Sequence, residues 1–179
     1  MRVFIYNDNK VISTKSVFFE KLIEHRFIAD MMMYGWFLHE KEIKILRSEI
    51  DSSGYDIVID CENVYRHIQL KTSEHTSKRS SQKVNTTLLN KKNPCIIWIL
   101  YNYNTKKRDF DFRYLFWGSD IDGDLPDIKK YSIVKTNSKK NEKAIPHIRN
   151  IPKGHFVEMH SCDLFNKLFI DKNIKKKNV

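Results

Sequence analysis

Residues 55–61 (YDIVIDC) and 64–71 (VYRHIQLK) both read as β-strands, and only Glu62 and Asn63 separate them. A two-residue connection between strands forces a tight antiparallel hairpin and fixes its register. With Glu62 and Asn63 at the centre of the turn, Cys61 pairs with Val64, and each step outward lowers one number as it raises the other. Asp56 then falls opposite Gln69. Side chains alternate along a strand, so Lys71 shares that face, while Ile57, Ile68 and Leu70 point the other way, toward a core. The register therefore predicts a carboxylate, a carboxamide and an ammonium on one patch of sheet.

The flanking sequence supplies the rest of an α/β chain. From Ser16, a candidate N-cap, to about Phe37 the apolar residues recur at helical spacing. At about 100° per residue, Glu20 and Glu24 lie along the stripe that carries Val17, Phe27, Ile28, Met31 and Gly35. A carboxylate on an apolar stripe is costly unless paired or coordinating, which makes both glutamates candidates for chemistry. Residues 43–49 (IKILRSE) read as a strand before a turn at Asp51, Ser52, Ser53 and Gly54. After the hairpin, 72–83 (TSEHTSKRSSQK) has almost no apolar residue and reads as a basic, hydroxyl-rich loop, followed by a short helix over 84–91. Residues 95–101 (CIIWILY) form a continuous apolar run, as expected of a strand buried on both faces, and 112–117 (FRYLFW) is a further strand. Beyond Gly118 the pattern weakens. Ser161 is a candidate cap for a last helix with a stripe of Leu164, Phe165, Leu168 and Phe169, and the lysine-rich tail is expected to fray.

The 179 residues suit one domain with a real core. No apolar run approaches the roughly 20 residues that span a bilayer, and MRVFIYNDNK lacks the apolar stretch of a signal peptide, so no membrane partner and a cytoplasmic location are expected. Three cysteines, far apart and in no CxxC pair, argue against a disulfide framework or a zinc ribbon. Lysine and arginine number 32 against 22 acids, a formal charge of +10 that favours a polyanionic partner. The run Asp120, Asp122, Asp124 misplaces the glycine and the terminal glutamate of a calcium loop. His147, His155 and His160 lack zincin spacing, and there is no GxxxxGK.

The hairpin patch carries the sharpest chemistry. Two strand-borne oxygens, from Asp56 and Gln69, with the backbone carbonyl of Leu70, suit a hard cation such as Mg²⁺ or Mn²⁺. Lys71 is then placed to orient or deprotonate a water. Lys78, Arg79, Ser80 and Lys83 follow directly and are candidate phosphate contacts.

The order of a helical glutamate, a strand, Gly54-Tyr55-Asp56, then Gln69-Leu70-Lys71, a helix and a buried strand resembles the αβββαβ core of the PD-(D/E)xK, restriction-endonuclease-like superfamily. The likeness covers residues 16–118 and leaves 119–179 as a C-terminal extension without counterpart. It implies a mixed central sheet flanked by helices and a metal-dependent endonuclease acting on DNA. It also implies roles for Asp56 and Gln69 as metal ligands, Lys71 as the lysine and Glu24 as the helical acid. Tyr55 stands where the motif has proline, and Gln69 where it has an acid. The second departure removes a negative charge, which keeps open a nuclease-fold protein that binds nucleic acid without cutting it, as well as RNA as substrate. A second copy of the chain, in a homodimer, is a further expected partner.

Overall fold

The computed structural model describes residues 16–47, 54–104, 106–135 and 144–170. The turn residues Asp51, Ser52 and Ser53, the first fifteen residues and the tail beyond 170 lie outside these. The described chain is a mixed α/β structure with a six-stranded sheet, a three-stranded sheet and two α-helices.

Helix α1 runs Ser16–His39. Phe19, Ile23, Phe27, Ile28, Met31 and Gly35 bury one side of it, a three-to-four-residue spacing that follows the helical period. Val17, expected on that stripe, is instead exposed, because the stripe begins at Phe19. The helix stops at Glu40, whose left-handed conformation (φ 53°) turns the chain while its N–H bonds Trp36 O. Gly35 lets strand β1 pass close: a Cβ there would lie 3.0 Å from the carbonyl of Lys41.

Strands β1 (Ile43–Arg47), β2 (Ile57–Cys61) and β3 (Val64–Glu74) form an antiparallel meander. The pairing of β2 with β3 runs from Cys61↔Val64 to Ile57↔Ile68, as the hairpin arithmetic predicts. Glu62 (φ 49°) and Asn63 (φ 71°) both adopt the left-handed backbone of a type I′ turn.

Between β3 and the next main-sheet strand lie β4 (Ser81–Asn85) and a 3₁₀ turn (Thr86–Asn90). The α-helix expected over 84–91 does not form. Asn85 caps the 3₁₀ turn instead, its Oδ1 accepting from Thr87 N–H and Thr87 Oγ1, and a strand plus a tight turn already buries both Val84 and Leu88. The loop expected over 72–83 shrinks in turn, since β3 continues to Glu74 and β4 begins at Ser81.

Strand β5 (Pro94–Asn104) then runs parallel to β3, and β6 (Asp109–Gly118) returns antiparallel. Cys95, Ile97 and Ile99 face the helices, while Ile96, Trp98 and Leu100 face a second core, so β5 is buried on both sides as its unbroken apolar run required.

The chain after 118 is woven into both layers. Strands β7 (Ser132–Lys135) and β8 (Ala144–Pro152) join β4 in the three-stranded sheet, in the order β4-β8-β7. After a second 3₁₀ turn at Lys153–His155, β9 (Val157–Met159) pairs with β6 as the sixth strand of the main sheet. Helix α2 (Ser161–Phe169) buries Leu164, Phe165, Leu168 and Phe169 in the same core as α1. Its N-cap residue is His160, without a side-chain cap, rather than Ser161.

Arg66, on β3, is fully buried and reaches the end of α2. Its guanidinium donates to the carbonyls of Leu168 (2.8 Å), Lys167 (3.0 Å) and Ser119 (3.2 Å). A cation on carbonyls that have no partner within their own helix is favourable electrostatically as well as by hydrogen bonding. Cys61, Cys95 and Cys162 are free thiols, and among the described residues no helix is long and apolar enough to cross a membrane.

Candidate active site

Strand β2 covers β3 only as far as Ile68, so from Gln69 to Glu74 one edge of β3 has no strand beside it among the described residues. A cleft of about 680 Å³ opens along that edge. Helix α1 forms one wall with Glu20, Lys21 and Glu24, β3 forms the floor with Leu70, Lys71 and Thr72, and the three-stranded sheet forms the far wall with Gln82, Lys83 and Asn150.

Asp56 sits where β2 parts from β3. Its N–H bonds the carbonyl of Ile68 (2.9 Å), and its Oδ2 accepts the N–H of Leu70 (2.6 Å), so it straddles Gln69 on the neighbouring strand. The carboxylate takes the place that a β2 carbonyl would occupy if the ladder continued. Gly54 positions this bend. Its φ is +75°, and a Cβ would fall 2.3 Å from Thr87 Oγ1, so only glycine brings the chain past the 3₁₀ turn at this angle.

The protonation of the cleft is set by crowding. Desolvation raises the pKa of Asp56, although its tip reaches solvent, while the Leu70 N–H and Lys71 pull it back down and Glu24 pushes it up. Lys71 is shifted the other way, lowered by desolvation and by Arg79 and supported by Asp56 and Glu20. Both groups are thus drawn toward their neutral forms. A lysine shifted in this direction holds its proton less tightly than a solvated one, which suits it to exchange a proton with a nearby water.

Glu24 is 7% exposed, against the exposed Glu20 one turn earlier. Its Oε2 is bound by Lys21 Nζ at 2.8 Å. Its Oε1 lies 3.0 Å from Arg47 Nη2 but receives no aligned hydrogen bond. A buried carboxylate oxygen without a hydrogen bond is costly unless something else satisfies it.

Gln69 goes elsewhere. Its Oε1 accepts the backbone N–H of Asn85 at 3.2 Å, and its side chain lines a neighbouring cleft of about 500 Å³ with Lys83, Lys135 and Ile148. Lys71 borders both clefts. The structure therefore brings Asp56, Leu70, Lys71 and Glu24 to one cleft and turns the Gln69 carboxamide into the other. Of the candidate phosphate contacts, Arg79 and Lys83 line the first cleft, whereas Lys78 and Ser80 do not. Lys21, Gln82 and Asn150 were not apparent from sequence. Asn150 in particular depends on β8 lying beside β4, about 65 residues away in sequence, for which no local pattern exists.

Among the described residues no three His, Cys, Asp or Glu side chains come together as a metal-holding group. A site for Mg²⁺ does not require three, since one or two carboxylates with carbonyls, waters and substrate phosphate suffice. Asp56 provides one carboxylate. Leu70 provides a carbonyl that points to the same side as its N–H, toward Asp56 and the cleft. Glu24, its Oε2 bound by Lys21 and its Oε1 ion-paired with Arg47, provides a second carboxylate on the facing wall. The donor set fits a hard cation, with Gln69 outside it.

Comparison with protein-family models, with curated proteins and with solved structures finds no match to this chain. The functional reading rests on the geometry.

Proposed function

We propose that this chain is a divalent-metal-dependent endonuclease that hydrolyses phosphodiester bonds in DNA, on a restriction-endonuclease-like core of the PD-(D/E)xK kind. The observation that carries the reading is the meeting of Asp56 and Lys71 on the unpaired edge of β3, in a cleft rimmed by Arg79 and Lys83. The element order supports it: a helix bearing a buried glutamate, a three-stranded meander, then a strand parallel to the third. The second core helix of that fold is replaced here by β4 and a 3₁₀ turn.

Mg²⁺ or Mn²⁺ would be held by the Asp56 carboxylate and the Leu70 carbonyl, with Glu24 as the helical acid. Such an ion supplies a polarised phosphoryl oxygen and a more acidic water. The chain's own groups do the remaining work. Arg79 and Lys83 hold the phosphate backbone across the cleft. Lys71, its pKa held down by burial, orients the attacking water and takes its proton. Asp56 is itself fixed by the Leu70 N–H, so its free oxygen is aimed before substrate arrives.

A second reading has its own observation. With Gln69 neutral and committed to Asn85, the strands offer one carboxylate rather than two. That favours a protein that binds nucleic acid in the cleft without cutting it.

One experiment separates the two. Purified chain is incubated with supercoiled plasmid, single-stranded DNA and RNA, in Mg²⁺ or Mn²⁺, with EDTA and Asp56→Ala as controls. Nicking of DNA that requires metal and disappears in Asp56→Ala is the expected result. Cleavage of RNA alone would move the substrate class. Retained binding with no cleavage of any substrate would refute the enzyme and leave the binding protein.

A further inference from the structure

Helix α1 is apolar on both sides. Opposite its buried face, Phe18, Leu22, His25, Ala29, Met32 and Trp36 are all exposed, and their spacing is 4-3-4-3-4. That is the heptad seam of a helix that packs against another helix, sustained over the length of α1. Phe18 is 69% and Trp36 58% exposed, with Met33 (57%) and Phe37 (75%) beside them. Aromatic side chains bury roughly 150–250 Å² each when fully covered, so the patch amounts to on the order of 600–700 Å². Monomers rarely leave more than a few hundred Å² of contiguous apolar surface uncovered.

We propose that this face is a homodimer interface in which the α1 helices of two copies pack antiparallel about a two-fold axis. The seam itself selects the partner and the direction. About a midpoint at residue 27 its positions mirror one another, with an aromatic at each end, a long aliphatic next, and a large and a small residue at the centre. Phe18 then meets Trp36, Leu22 meets Met32, and the bulky His25 meets the small Ala29. Each contact occurs twice, as a two-fold interface requires. The area doubles to about 1,200–1,400 Å² in total, within the range of stable specific interfaces. At about 100° per residue Glu20 and Glu24 lie on the far side of α1, so both clefts stay open and face away from the axis. The inference does not rest on the nuclease reading.

The test is the mass of the full chain in solution without nucleic acid, by sedimentation velocity and light scattering. The expected species has twice the 21.4 kDa chain mass. Phe18→Glu with Trp36→Glu should give a monomer of unchanged circular dichroism. Cross-linking tests the direction without disturbing charge. In a Cys162→Ser background, which removes the exposed native thiol, Leu22→Cys with Met32→Cys should oxidise to a covalent dimer. Leu22→Cys alone should not, because in the antiparallel pair the two Leu22 positions lie about 15 Å apart at 1.5 Å rise per residue. A monomer at every concentration, with or without binding to lipid vesicles, would overturn the proposal. So would a dimer that survives both glutamates, or one cross-linked by Leu22→Cys alone.

Discussion

Arg66→Met should destabilise the fold by about 3–5 kcal/mol. The side chain is fully buried, and its three hydrogen bonds of 2.8, 3.0 and 3.2 Å all go to main-chain carbonyls, two of them at the C-terminal end of α2. Hydrogen bonds to a charged group contribute about 1.5–3 kcal/mol each, and every buried carbonyl left without a donor costs about 1–3 kcal/mol. Against this, the substitution recovers the desolvation of a buried cation, the same effect that lowers the pKa of Arg66. The net loss exceeds that recovery because methionine fills the volume but offers no donor to any of the three carbonyls. For a chain of this size about 2–4 °C of Tm accompanies each kcal/mol, so thermal unfolding followed by circular dichroism should shift down by about 6–20 °C. Arg66→Lys, which keeps the charge but cannot reach three acceptors at once, should fall between. A shift below about 3 °C for Arg66→Met would refute the idea that this guanidinium fastens α2 to the sheet.

Three further outcomes follow from the cleft and the hairpin. Asp56→Asn should abolish cleavage yet unfold at the same or a higher temperature at neutral pH. A carboxyl whose folded pKa is raised costs stability progressively as pH rises from its ordinary range through the raised value, and that penalty is fully present above it, so the gain in Asp56→Asn should vanish in acid. Equal loss of stability and activity at neutral pH would make Asp56 a structural residue. Arg79→Ala with Lys83→Ala should flatten the salt dependence of nucleic-acid binding by about one to two units of log-log slope, measured by fluorescence anisotropy; Lys78→Ala, outside the cleft, should change it less. Asn63→Gly should raise stability by about 0.5–1 kcal/mol in urea titration, because Asn63 holds φ 71° at the second turn position, where glycine relaxes the strain.

The hairpin was legible because a two-residue connection determines its own register, which sets Ile57, Ile59 and Ile68 together on the face that packs into the core under the helices. The buried glutamate was legible from helical spacing, which put Glu20 and Glu24 on one stripe, and the resemblance favoured Glu24, the one of the two that α1 buries. What sequence missed depends on β4. Val84 and Leu88, four apart, imitate a helical stripe, and nothing local reveals that Asn85 offers its N–H to Gln69. Strand β8 shows little apolar pattern because Ile151 is the only residue it buries, so its share of the far wall, Asn150, had no trace in the sequence.

The unpaired edge of β3 has a second consequence, one for solubility. An open strand edge next to an apolar core invites another chain to add a strand, and proteins commonly guard such edges with charge. Here Asp56 occupies the Leu70 N–H, the first donor an incoming strand would seek, and Lys71 stands beside it. The groups assigned to chemistry therefore also guard the edge. A chain carrying Asp56→Ala and Lys71→Met, however well it folds, should aggregate more readily than either single variant, since the Leu70 N–H would be free and the edge of β3 would then resemble the growing end of a fibril.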